Sequence, residues 1–272
     1  DDGELIGKYF SENRTNVSYN QIPKDLINAL IATEDVRFFE HKGNDTRSSL
    51  RVLIKTIMLG NRNSGGGSTI TEQLAKNICG RKHSDPFSLI VYKIREARIA
   101  RRLEKYYSKE EILTLYLNTV PFGENVYGIE AAANRFFSKS VGKLRIEESA
   151  VLVGMLKANT MYNPHLNPEN ARSRRNVVFA QMEKYKYLTH AKADSLRKLP
   201  LTVKYSKDNR KGMTEYFLVQ VRNEAEQILD NLPLSGEEKP DIEKDGLVIT
   251  TTMNLQLQRY AVASLQEHLS VM

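Results

Sequence analysis

The chain has 272 residues, 40% of them hydrophobic and 27% charged, an ordinary globular balance with room for one large domain, alone or with an appendage. Lysine and arginine outnumber aspartate and glutamate 40 to 33, a net charge of +7, so the partner is expected to be anionic: nucleic acid, an acidic membrane or a phosphorylated substrate. One cysteine, Cys79, excludes a disulfide framework and a cysteine metal site; no apolar run reaches the ~18 residues of a membrane span, and no signal peptide is visible.

The chain opens without an initiator methionine and reads as a segment of something longer. Residues 4–19 read as extended. Pro23 suits the first turn of a helix to about Ala32. Its apolar run, Leu26 to Ala32, leads straight into Glu34-Asp-Val-Arg-Phe-Phe-Glu-His-Lys-Gly43. A carboxylate at the end of an apolar helix is partly desolvated, which raises its pKa toward a working range. Glu34 is therefore a candidate acid or base. Asp35 and His41 are expected to order the turn that follows.

Asp45 or Thr46 can cap a second helix, in which Leu50, Leu53, Ile54, Ile57 and Met58 recur at helical spacing opposite Arg47, Arg51 and Lys55. This basic amphipathic helix fits core packing with a solvated face, or contact with an anionic membrane surface. A glycine-rich loop, Gly60 to Gly67, then feeds Ser68-Thr-Ile-Thr-Glu-Gln-Leu-Ala-Lys-Asn77. Thr69 and Glu72 have capping-box spacing. Such a loop before a helix N-terminus can cradle an anion, with Lys76 adding charge.

Pro86 opens a long helix to about Tyr107, carrying Lys93, Glu96 and a stripe of Arg95, Arg98, Arg102 and Lys105. Ser108 and Glu111 form a second capping box before a helix over Glu110–Asn118. Asn118 to Asn125 reads as a loop. A short helix covers Gly128–Phe137, and the apolar run Glu148–Leu156 reads as a buried central helix. Glu130 and Glu148 read as structural acids. Further helices are expected over Pro168–Tyr187, after the cap Thr189, near Thr214–Asp230, and from Asn254 to Leu269. Gly246-Leu-Val-Ile-Thr-Thr-Thr252 has strand character. The reading is thus mainly α, with 1–200 as one domain and 201–272 as a small mixed α/β linker region.

Five blocks, taken in order, resemble the peptidoglycan glycosyltransferase domain of class A penicillin-binding proteins and monofunctional transglycosylases. They are Glu34–Gly43, Gly66–Asn77, Lys93–Ala97 with its sequel to Asn118, Asn125–Ala133 and Glu148–Gly154. The resemblance implies a lysozyme-like helical fold with a membrane-proximal jaw holding the basic amphipathic helix. It implies a bacterial cytoplasmic-membrane protein acting on the outer, periplasmic face, with an N-terminal anchor ahead of this region and a transpeptidase domain after it. The implied reaction polymerises lipid II into β-1,4-linked glycan strands and releases undecaprenyl pyrophosphate. Glu34 is the implied general base and Glu96 the acid organising the leaving group, with or without a divalent cation, Mg or Mn, held in part by Glu96. Asp35, His41, Ser68, Thr69, Gln73, Lys76, Lys93, Arg98 and Asn125 are the implied substrate-binding residues. Nascent glycan strands and moenomycin-type inhibitors are the further implied ligands.

Three positions depart from the family pattern. Glu72 stands where glutamine is common, which is awkward beside a pyrophosphate. Tyr92 replaces a basic residue before Lys93, a loss that Arg81 or Lys82 could cover. Asn159 stands where proline is frequent. The other readings are a lytic muramidase, which needs no pyrophosphate site, and a non-enzymatic scaffold. Nucleic-acid binding has only the charge in its favour, since no recognised motif is present and aromatic residues make up 8%.

Overall fold

The computed structural model describes residues 6, 15–45, 67–80, 86–206, 215–232, 240–242 and 245–269. The chain divides into two compact units: Asn13–Ser206, and Lys207–Met272 together with Asp1–Glu12. Both are helical where described. The basic amphipathic helix expected at Leu50–Leu59 lies outside the described residues, as do Arg81 and Lys82.

In the larger unit, helix α1 spans Lys24–Glu34 and buries Leu26, Ile27 and Ala29 through Ala32. Each large apolar side chain so buried stabilises the fold by about 1.5–3 kcal/mol. Two packed groups meet at its C-terminal end. On one side α1 lies against α6 (Ile146–Met155) and α7 (Pro168–Lys184). On the other, α2 (Ile70–Cys79) packs on α3 (Pro86–Tyr106) and α4 (Lys109–Thr119). Helix α5 covers Ile129–Phe137, and α8, His190–Lys198, packs on α7.

The local starts follow from the capping residues. The Ser108–Glu111 box forms with both of its bonds. Thr69 caps α2 by accepting the Glu72 N–H at 3.1 Å. The return bond of that expected box is missing, because Glu72 Oε1 instead accepts the Asn44 amide at 2.6 Å. Glu148 sits in the first turn of α6, where it is held by Lys139 at 2.6 Å and by the Arg145 N–H at 2.8 Å. Glu130 accepts the Val141 N–H at 2.7 Å. Both acids are used structurally.

Two strand expectations need correction. The Asn118–Asn125 stretch is not a plain loop: α4 runs to Thr119 and a two-stranded antiparallel hairpin follows, β1 (Pro121–Gly123) and β2 (Val126–Tyr127). Its two linking residues, Glu124 and Asn125, both have positive φ, 54° and 57°, the backbone a tight hairpin turn demands. Asn tolerates this conformation. Glu124 is held there by its side chain, which bonds Asn163 at 2.7 Å, Arg135 at 2.8 Å and the Tyr205 hydroxyl at 2.6 Å. Conversely, Gly246–Thr252 forms no strand. β-branched residues alone do not make one: a strand needs a neighbour for its N–H and C=O groups, and none pairs with it among the described residues. That unit is built on helices α9 (Glu215–Asp230) and α10 (Leu255–Leu269). No described helix is long and apolar enough to cross a membrane.

The buried end of the larger unit is pinned by Arg175, a fully buried arginine on α7. Its guanidinium donates to the carbonyls of Leu199 at 2.8 Å and Pro200 at 3.2 Å. Further along, Ser138 Oγ donates to the Lys204 carbonyl at 2.8 Å, and the Ser206 N–H donates to the Arg135 carbonyl at 2.8 Å.

Candidate active site

A cleft of about 580 Å³ opens where the two packed groups meet. Glu34, the last residue of α1, is half-buried in its wall. Burial pushes its carboxyl above the ordinary glutamate range, and the adjacent Asp35 charge adds to the shift. A hydrogen bond from Gln73 and the charges of Arg174 and Lys157 work against it. Gln73 Nε2 donates to Glu34 Oε2 at 3.1 Å.

Asp35 is buried and lines the cleft beside Glu34. Its Oδ2 accepts the Ile70 N–H, the first of α2, at 3.0 Å and a bond from His41 Nε2 at 2.9 Å. A carboxylate at a helix N-terminus is favoured by the helix dipole. His41 Nδ1 accepts the Gly43 N–H at 3.2 Å, so the proton of the neutral ring sits on Nε2, facing Asp35. The His41 carbonyl accepts Lys109 Nζ at 2.7 Å, and that ammonium lies 4.4 Å from the Phe38 ring centre. Arg37 grips Asp45 with two nitrogens, at 3.0 and 2.7 Å. Gly43 is required by space as well as by its φ of +91°: a Cβ there would fall 2.7 Å from the Ala100 carbonyl carbon. The whole first-motif turn is thus bolted to α2, α3 and α4.

The second wall comes from α2 and α3. Ser68, Thr69, Gln73, Lys76, Lys93 and Glu96 all line the cleft. Lys93 Nζ donates to Ser68 Oγ at 2.7 Å and pairs with the buried Glu96 at 3.0 Å. The i, i+3 spacing on α3 makes that pair. Thr69 also lines the cleft, but its hydroxyl is spent on the Glu72 N–H and, as donor, on the Gly43 carbonyl at 2.6 Å. Glu72 is bound by Asn44, whose Oδ1 accepts from Arg101 at 2.7 Å. Glu72 lines the cleft as well, with its Oε1 engaged by this amide. Lys76 stands exposed in the last turn of α2.

Three expected binding residues, Arg98, Asn125 and His41, are not brought to this cleft. Arg98 is exposed on α3 and Asn125 sits in the β1–β2 turn; neither lines it. His41 stands behind Asp35. Among the described residues no group of three or more His, Cys, Asp or Glu is arranged to hold a metal, and Glu96, the expected partial ligand, lies 3.0 Å from the Lys93 ammonium.

The third wall, from α6 and α7, was missed in the sequence. Lys157, just beyond α6, and Arg174, on α7, line the cleft and act on Glu34. Gly154 makes room for Arg174, since a Cβ there would meet its Cγ at 3.0 Å. Arg174 Nε is buried without a hydrogen-bond partner among the described residues. Tyr116 of α4 was missed too; its hydroxyl donates to Gln73 Oε1 at 3.0 Å.

Comparison with known proteins shows the family of the chain. A model of the Transglycosylase family matches residues 2–183. Penicillin-binding protein 1F of Bacillus subtilis (strain 168) is 36% identical over 265 residues, which is 97% of this chain and 36% of that protein. Penicillin-binding protein 1A of Aquifex aeolicus is 37% identical over 267 residues, 98% of this chain and 35% of its own length. Penicillin-binding protein 1A of Escherichia coli (strain K12) is 35% identical over 260 residues, 96% and 29% respectively. The chain therefore spans about a third of the length of the curated relatives it matches.

Proposed function

Because the chain belongs to the transglycosylase family, in the region it shares with penicillin-binding proteins 1A and 1F, we propose that it is a peptidoglycan glycosyltransferase polymerising lipid II. One observation carries the reading. A carboxylate with a raised pKa, Glu34, shares a single cleft with a cationic group made of Lys76 and the Ser68–Lys93–Glu96 cluster. A lytic muramidase has use for the acid but none for the cations.

In this reading the 4-hydroxyl of the acceptor sugar gives its proton to Glu34 as its oxygen bonds to C1 of the donor. The bond from C1 to the pyrophosphate oxygen breaks on the opposite face, and its electron pair leaves with undecaprenyl pyrophosphate. The α-linked donor thereby becomes a β-linked product. The leaving group carries the charge that Lys76 and Lys93 meet. Glu96 holds the Lys93 ammonium in place, and Asp35 and His41 hold the turn that carries Glu34. No step is routed through a metal.

The setting belongs to the same proposal: the outer face of a bacterial cytoplasmic membrane, with a transpeptidase domain in the intact protein and moenomycin-type phosphoglycolipids as inhibitors. The test is incubation with labelled lipid II in detergent, gels of the product, and muramidase digestion of it. A ladder that muramidase collapses is the expected result. Soluble fragments released from finished cell wall, with no polymer made from lipid II, would replace this reading by a lytic one.

A further inference from the structure

We propose that Tyr116 is a positioning residue for Glu34, acting through the amide of Gln73. The inference rests on Glu34 being the base of the glycosyltransferase reading. Three side chains from three helices make one chain of hydrogen bonds. Tyr116 Oη on α4 donates to Gln73 Oε1 on α2 at 3.0 Å, and Gln73 Nε2 donates to Glu34 Oε2 at the end of α1 at 3.1 Å. Glu34 Oε1 makes no hydrogen bond among the described residues.

The chemistry of each group gives the chain its direction. Tyr116 is wholly buried among the apolar residues of α4, including Ile112, Leu113 and Leu117. A buried phenol needs a partner, and Gln73 Oε1 is the one it bonds. Burial, with the Glu34 charge behind it, pushes the phenol well above its usual range, so it stays protonated and donates. An amide has one accepting and one donating end. With the accepting end taken by the phenol, the donating end faces Glu34. A hydrogen bond to the ionised carboxylate favours ionisation. The flipped amide would set its oxygen against the carboxylate, an arrangement suited only to protonated Glu34. The phenol therefore biases Glu34 toward the form a base needs and fixes which oxygen is engaged.

The other groups acting on Glu34 do not depend on Tyr116. They are Arg174 from α7 and Lys157 beyond α6, which lower its pKa, and Asp35, which raises it. Tyr116→Phe removes one oxygen and leaves these charges in place.

The experiment follows the Glu34 carboxyl by carbon NMR in the whole protein without substrate, wild type beside Tyr116→Phe, and then the pH profile of lipid II polymerisation. The Glu34 midpoint is expected to rise by about half to one pH unit. At neutral pH kcat falls about tenfold with KM within about twofold, and the acid limb of the profile moves up with the midpoint. A midpoint unmoved in Tyr116→Phe overturns the proposal, however far the melting temperature drops. Should that variant not fold, Gln73→Leu must raise the same midpoint, and an unmoved midpoint there is equally fatal. The double variant must shift no further than Gln73→Leu alone; additive shifts mean independent effects and overturn it. A shifted midpoint in a protein that makes no polymer leaves the positioning intact and removes the glycosyltransferase reading, so the two can fail separately.

Discussion

A carboxylate buried enough to serve as the proposed base costs the fold something. Glu34 is held above its ordinary pKa chiefly by burial, so its charged form is disfavoured in the folded chain. The sign follows: near neutral pH this carboxylate subtracts from stability, and protonation relieves it. Glu34→Gln is therefore expected to melt at the wild-type temperature or higher while losing polymerisation by about 10²–10⁴-fold; calorimetry and the lipid II assay check the two halves. The acid limb of kcat/KM should lie above the ordinary glutamate range, because the base is lost as pH falls through a raised pKa. A second expectation concerns Lys93, which joins Ser68 to Glu96. Lys93→Ala should weaken lipid II binding about tenfold and weaken a moenomycin-type inhibitor similarly, leaving affinity for a glycan without pyrophosphate unchanged. An equal loss on the glycan that lacks pyrophosphate would show Lys93 to be a structural contact.

At the scale of elements, the turn after α1 is a joint. Asp35 accepts the first N–H of α2 and is steadied by His41, so α2 starts where α1 stops. Since α2 carries Gln73, Glu34 and its hydrogen-bond donor are placed by one carboxylate. Asp35→Asn can still offer one oxygen to both donors, as Oδ2 does, but removes the charge from those bonds and from the helix N-terminus. The expected cost is about 1–3 kcal/mol, seen as a lower melting temperature together with reduced activity. Much of this joint was legible in the chain order. The apolar run into Glu34, the Thr69 cap and the Ser108–Glu111 box are local signals, and local geometry decides them. Glu72 was legible only in part: its spacing suggested a box, but Asn44, 28 positions away, claims the carboxylate. Lys157, Arg174 and Tyr116 reach the site only through packing of distant helices. Each still left a trace. Lys157 ends an apolar run, as Glu34 does. Tyr116 sits in an apolar stripe where a hydroxyl needs a partner. Arg174 and Arg175 are neighbours, yet one turns to the cleft and the other to the core, a difference that composition does not carry.

At the scale of the molecule, stability against acid rests on carboxylates other than Glu34. For Glu148, burial pushes upward, but the Arg145 N–H and the Lys139 ammonium more than offset it, and the folded pKa lies below the ordinary value. Glu124 is lowered likewise against its own burial, by Tyr205, Asn163 and Arg135. Such groups contribute stability fully above the unfolded pKa of about 4.3, and the contribution is lost as pH falls through their depressed folded values. Glu148→Gln should melt below wild type at pH 7, and the gap should narrow steadily as pH falls below the ordinary glutamate range. A gap that does not narrow with acid would mean that packing rather than charge is lost.

The fastening of residues 199–206 has a mechanical side. On the proposed reading, the growing glycan strand would tug on the enzyme that makes it. A pull on Ser206 would first load its two bonds with Arg135, then the contacts of Tyr205 with Glu124 and Arg135, then the Ser138 bond to Lys204, in turn like a peeled strip. At Leu199 and Pro200 the strip ends, because Arg175 grips both carbonyls from inside the core, and that grip cannot be reached by peeling. Tension beyond it passes into α7, the helix that also carries Arg174. The same helix would then serve as strain relief for the chain and as a wall of the cleft, so a load large enough to disturb it would register at Glu34 before the larger unit unravelled.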